Sequence, residues 1–442
     1  MNKVQFIRRL YEEMPALLRA GVLSDDSAQK LKAHYGQVQA GGKMQIALAI
    51  FTVVGALCIG LGIILLFAYN WDQFGRLEKT AISILPLVVA QIFSGLIVWK
   101  DKQSTGAREG AAIFNMLAVG ASMALISQTY NLPNDFGSFM LTWMLLSLPL
   151  IYILQSGLAA LLYLIGITSW AVGEQTTGGY SFWFWPLALL VAPYIKRYFV
   201  DQSASSRSIW VFWGMSICMT VALGVSLEKV IPGLWIVIYS AFFASLYLAG
   251  VLFSDEETAT WQRPMRTFGS LAAIILSYIL TFKFPWEHIG WEYYRTGTRY
   301  HMLGQVSDYV LLIVFVATAV VQLSRVLQVR KYFESTLGAL PILSMACFLL
   351  YSFNILPIIP SMLFNLYLFG FSLYCVFYGL QLRRLGIING GMLILGVLIM
   401  TRFMDSSIGI LGRAIVFIFL GICFLLANSI LSKRFEGGIQ HV

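Results

Sequence analysis

The sequence predicts an all-α fold: a polytopic transmembrane helix bundle of about fourteen spans with a short cytosolic helical cap at its N-terminus. Three observations carry that prediction. Hydrophobic residues make up 58% of the 442 and charged residues only 12%, whereas a soluble domain is roughly a quarter charged. Apolar runs recur throughout, the first being Ile46–Ala68, 23 residues without a charge, where a bilayer crossing takes about 20. The net charge of +9 is spread as short basic clusters between those runs. That distribution suits orientation by the positive-inside rule and argues against a nucleic-acid partner.

Residues 1–42 read as the cytosolic cap. Phe6, Leu10, Met14, Leu17 and Leu18 recur at helical spacing, and Gly21 ends the pattern. Ser24 is placed to cap a second helix, with Asp25 and Asp26 in its first turn and Leu31 and Tyr35 on its apolar face. Two helices of this size bury little on their own, so the cap is expected to pack on the membrane domain or on a protein partner. Arg8 and Arg9 have no apolar stretch behind them, so no cleavable signal peptide is expected.

The transmembrane domain is expected over 43–434, with a cytosolic tail at 435–442. Its spans fall at roughly 46–68, 81–99, 110–128, 139–154, 158–173, 182–195, 209–227, 233–253, 267–282, 308–324, 336–354, 361–380, 386–401 and 410–431. The shortest, 139–154, 158–173, 182–195 and 386–401, are the weakest as full crossings, and a short or interrupted span is how a broken helix reads in a sequence. With both termini in the cytosol, twenty-two Lys and Arg fall in inner segments and eight in outer ones. Dropping one span would scramble that bias. The longest connection, 283–307, holds Trp286, His288, Trp291, Arg295, Arg299 and His301. Its aromatic density suits the outer interface, and it is the one loop large enough to act as a lid.

Three stretches carry a family likeness: Gly60-x-Gly62 through Ala68-Tyr69-Asn70-Trp71-Asp72; Leu125-Ile126-Ser127-Gln128-Thr129-Tyr130-Asn131-Leu132 followed by Leu141-Thr142-Trp143; and the Ala20-Gly21-Val22-Leu23-Ser24 turn. Over about the first 175 residues, so across 43–175 of the membrane domain, the chain resembles the bacterial membrane-protein family catalogued as domain of unknown function 2157. Thr401-Arg402-Phe403-Met404-Asp405 and Gly412-Arg413-Ala414 look like the closing spans of long members. The resemblance implies a multi-pass protein of the bacterial inner membrane with a short cytosolic helical start. It carries over no activity and no catalytic residue.

Catalytic signatures are missing: there is no Walker A loop, no HExxH and no GxSxG. The four histidines lie outside the spans, and the five cysteines, Cys58, Cys218, Cys347, Cys375 and Cys423, lie within them with no CxxC spacing. No cofactor or metal site is therefore expected, and the cysteines read as small buried hydrophobes. Deeper polar residues, namely Gln91, Asn115, Gln155, Asn365 and Gln381, read as interhelical hydrogen-bond formers, and Gly386 with Gly390 reads as a GxxxG packing face.

What remains is polar side chains at span ends that this topology puts on one side, the periplasm. Asn70, Asp72 and Arg76 follow the first span; Gln128, Tyr130, Asn131 and Asp135 close the third; Arg402, Asp405 and Arg413 flank the last two. Arg at membrane depth is costly unless it pairs or faces a wet cavity, and its fork suits phosphate. Such a set could line an outward-facing cavity for a lipid-linked or anionic substrate, as in a transporter or lipid-handling protein of the envelope. Helix capping would also explain it. An enzyme of glycosyltransferase or ligase type, using Asp72 with Arg295, Arg299 and His301, is the alternative by architectural analogy. A third reading is an assembly partner acting through the cap.

Overall fold

The computed structural model describes residues 22–35, 73–100, 104–132, 135–201, 206–227, 233–253, 260–287, 302–352 and 358–404, with isolated positions near both ends. The chain divides into two compact units, 1–81 and 82–442. In the first, α1 (Asp25–Tyr35) starts where the sequence places it. Ser24 Oγ accepts the Ser27 amide at 3.3 Å, while the Val22 and Leu23 amides close the preceding turn on the Leu17 carbonyl. Asp26 and Lys30 pair one turn apart on the exposed face of α1, where such a pair is worth little.

Every regular element among the described residues is helical. In chain order they are α2 (Arg76–Trp99), α3 (Thr105–Tyr130), α4 (Phe136–Ile153), α5 (Gly157–Thr177), α6 (Phe184–Leu189), α7 (Ala192–Asp201), α8 (Ser206–Ser226) and α9 (Leu234–Phe253). Then follow α10 (Pro264–Ile279), α11 (Phe284–Glu287), α12 (Met302–Gln328), α13 (Tyr332–Gly338), α14 (Leu340–Ser352), α15 (Ile358–Gln381) and α16 (Leu385–Met404). Ten stretches among the described residues are long and apolar enough to cross a bilayer, with α13 and α14 counting together as one. They coincide with ten of the fourteen expected spans. Of two more, 46–68 lies outside the described residues and 410–431 is described only at isolated positions.

The other two differ from the expectation for local reasons. The span at 182–195 is two short helices, α6 and α7, parted at Leu190–Val191. Pro193 has no N–H to offer the Leu189 carbonyl, so one helix cannot run through. Tyr163 and Tyr152 fill the gap by donating to the Leu187 and Leu190 carbonyls, the first at 3.1 Å. The span at 267–282 is α10, only 16 residues long. It stops because Trp286 folds back, buried to 1% exposure, and donates its indole N–H to the Leu280 carbonyl at 2.9 Å.

Two cores organise the larger unit. One centres on α9, which is buried without a break from Ser240 to Val251. A helix apolar all round needs neighbours all round, and α9 has them in α10, α12, α13 and α14. Contact with α10 is close because a Cβ on Gly250 would stand 2.3 Å from the Arg266 amide nitrogen, and one on Gly269 2.4 Å from that of Tyr247. Small residues permit such approach where no hydrophobic force separates protein from lipid. The second core centres on α5, with Tyr163, Leu164 and Ile167 packed against α3, α4 and α8. Trp185 of α6 packs against both.

Asn115 donates to Ser94 across α3 and α2 at 3.2 Å, and Asn365 donates to the Thr281 carbonyl at 2.9 Å, so these two bridge helices as expected. Gln91 and Gln381 are exposed instead, and Gln155 sits in the α4–α5 turn at φ +52°. The Gly386–Gly390 face does not make the tight contact, since a Cβ at either would meet nothing. Gly391 does, lying against the backbone of Ser372 and Val376, with Gly379 against Ile388. Cys218, Cys347 and Cys375 are buried and free, while Cys58 and Cys423 lie outside the described residues.

Candidate functional site

The candidate site is built where α3 ends and α4 begins. Asn131 caps α3 in the left-handed conformation, φ 49° and ψ 45°, a region that Asn tolerates better than other side chains. Its amide and that of Leu132 both close on the Ser127 carbonyl. Asp135 then caps α4, accepting from the Ser138 amide at 2.8 Å and its hydroxyl at 2.5 Å. The Ser138 hydroxyl, and then its N–H, hold the exposed Asp135 carboxyl below its ordinary pKa of 3.8, so the group is ionised at neutral pH.

Two open clefts meet at Asp135 and Phe136. The first, about 760 Å³, has a polar wall of Ser127, Gln128, Asn131 and Asp135 and an apolar one of Ala124, Leu132, Phe136 and Phe139. The second, about 780 Å³, runs between the start of α4 and the last turns of α5, lined by Gly137, Thr168, Ser169, Thr176 and Thr177, with Val172 and Val221 as apolar neighbours. Both volumes lie in the range of small-molecule sites. Helix pairing sets the geometry: Trp143 lies over Gly120 and donates to the Met116 carbonyl at 2.7 Å, which locks α4 to α3.

Glu174 completes this end of the bundle. A Cβ on Gly137 would stand 2.4 Å from Glu174 Oε1 and 3.7 Å from Asp135 Oδ2, so both carboxylates lie around one glycine. A Cβ on Gly179 would stand 1.8 Å from Glu174 Oε2. The glycines at both positions are thus the seat of the Glu174 side chain. Gly178, at φ +80°, turns the chain there after α5.

The sequence-selected residues separate under this geometry. Gln128, Asn131 and Asp135 come together in the first cleft, while Tyr130 is exposed beside it and lines neither cleft. Arg76 is exposed in the first turn of α2. Arg402 lies elsewhere, in the last turn of α16, donating to Thr281 Oγ1 at 3.1 Å with its guanidinium 4.4 Å above the Phe282 ring. Thr281 also takes Asn365 through its carbonyl, so one turn ties α10, α15 and α16 together. Trp286, a lid candidate by sequence, is a core residue packed against Phe364 at 5.9 Å between ring centroids. Asn70, Asp72, Asp405, Arg413, His288, Trp291, Arg295, Arg299 and His301 lie outside the described residues.

Three buried acids matter that sequence reasoning passed over. Glu109 of α3 takes the Gly157 and Leu158 amides, each at 3.0 Å, and the Ser156 hydroxyl. It therefore caps α5 from a neighbouring helix, where the N-terminal dipole favours a negative charge. Glu334 of α13 pairs with Arg266 of α10 at 3.2 Å, a staple between the two helices. Asp308 is buried near the start of α12. A lone acid at the edge of an apolar run was the available signal for each. Among the described residues no three His, Cys, Asp or Glu gather as a metal site.

No curated protein and no solved structure matches this chain. Residues 15–160, which take in α1 through the start of α5 and hence the first cleft and the Trp143 lock, match the family described as Predicted membrane protein (DUF2157), as the sequence motifs imply.

Proposed function

We propose that this chain is a lipid-handling protein or transporter of the bacterial inner membrane, with both termini cytosolic, taking a lipid-linked substrate at the paired clefts on the periplasmic side. One observation carries the reading: two clefts at the polar ends of apolar helices, each with a hydrogen-bonding wall and an apolar wall, meet at Asp135 and Phe136. A head group and the start of an acyl chain need that pairing of walls. Ten candidate spans among the described residues and a match to a membrane-protein family support a lipid setting for those helix ends.

The test is photo-crosslinking in native membranes, with benzoylphenylalanine at Phe139 in the cleft and, as reference, at the exposed Phe114 of α3. A lipid class enriched at position 139 over its share at position 114 is the expected result. Adducts at 139 that mirror those at 114 would remove the clefts as a binding site.

A further inference from the structure

The chemistry of the cleft walls narrows the ligand, and the inference rests on the lipid-handling reading above. On the α5 side the hydroxyl protons are already spent within the helix. Thr168 donates to the Leu164 carbonyl at 2.7 Å, Ser169 to that of Ile165 at 2.9 Å, and Thr176 to that of Gly173 at 2.7 Å. Thr177 likewise donates to the Gly173 carbonyl at 3.2 Å. What these side chains turn toward the second cleft is therefore acceptor lone pairs. Asp135 adds an ionised carboxylate to both clefts, and Glu174 brings a second carboxylate to the other side of Gly137. Among the described residues, neither cleft has a Lys, Arg or His in its lining. Arg402 is engaged with Thr281 and Phe282 and lines neither.

An acceptor-rich wall with the Asp135 carboxylate on it, the Glu174 carboxylate across Gly137 and no cation among the described lining residues selects by charge. A phosphate seated there would meet like charge with no cation among the described lining residues to neutralise it, whereas hydroxyl or ammonium donors would find partners on both sides. We infer that the portion of the ligand held at Asp135 is a hydrogen-bond-donating head without net negative charge, presenting sugar hydroxyls or an ammonium group rather than a phosphate. The amides of Gln128 and Asn131 in the first cleft suit such a head, because each can both donate and accept. Phe136 and Phe139 take the adjoining apolar portion.

The full chain, reconstituted in phosphatidylcholine vesicles, is offered photoactivatable diacylglycerols identical in their acyl chains and bearing a glucosyl, an ammonium or a phosphate head. Capture is counted by peptide mapping at residues 124–139. The glucosyl or the ammonium lipid should be captured at least about threefold more than the phosphate lipid, and the better of the two identifies the donor as hydroxyl or amine. Asp135→Asn should narrow the gap to phosphate, because Asn caps a helix about as well as Asp and removes the charge alone. Glu174→Gln should narrow it from the α5 side. Preferential capture of the phosphate lipid, or a preference untouched by both variants, would overturn the charge assignment while leaving a lipid site in place. Capture of none of the three lipids would overturn both this inference and the lipid-handling reading.

Discussion

The ends of α3–α5 and the bundle around α9 draw on the same side-chain types and use them differently. Around α9 the charged groups are consumed by the fold. Arg266 pairs with Glu334, and Arg402 lies between the Thr281 hydroxyl and the Phe282 ring. At the ends of α3–α5, Asp135, Gln128 and Asn131 line open space. The contrast follows from packing. A helix buried on every side draws in whatever its neighbours carry, while helices that meet at a short turn leave their ends splayed. A polar residue at the end of a span is therefore informative only once its neighbours are known, and charge alone is a poor guide: Arg402 is the more costly residue to place in a membrane, yet it is the one tied into the fold.

Gly250→Leu drives a side chain into the α10 backbone and should cost about 4 kcal/mol, beyond ordinary overpacking, because backbone rather than side chain must move. A large fall in melting temperature in a fixed detergent is the expected reading. An unchanged melt would mean that α9 is not the rigid centre.

Next in size is Glu334→Ala. It leaves Arg266 largely buried without its carboxylate, at a cost of about 3 kcal/mol. Glu334→Gln, which keeps an oxygen acceptor, should lose less. Equal melts for the two variants would show that the pair's charge does not matter.

The smallest effects separate the two regions most sharply. Arg402→Ala should lower stability by about 1 kcal/mol as its hydrogen bond to Thr281 and its contact with the Phe282 ring are lost, and should leave lipid capture at Phe139 unchanged. Asp135→Asn should do the reverse, changing capture while shifting stability by less than about 0.5 kcal/mol. If Arg402→Ala abolished capture, the division between a closed bundle and an open binding end would be mistaken.

Much of the fold was legible without coordinates. Hydropathy runs the length of a bilayer located ten helices, since in lipid a chain must satisfy its backbone within each segment. Ser24 before Asp25 and Asp26 marked the start of α1 because capping is local chemistry. The motif around Gln128–Asn131 and Trp143 marked the α3–α4 pair, and the cleft falls there.

The tertiary structure alone decided the rest, because the deciding contacts join residues far apart in the chain. No local pattern tells that Gly391, rather than Gly386 or Gly390, meets the facing helix, since helix rotation is set by packing. Nothing near Glu109 in the sequence points to the start of α5, 48 residues on, whose amides it receives. Trp286 reads as an interfacial aromatic until α15 supplies Phe364 as its partner. Composition and period thus determine that helices form and cross, because those depend on solvent and backbone. Which polar ends are sealed and which stay open depends on neighbours brought together only by folding.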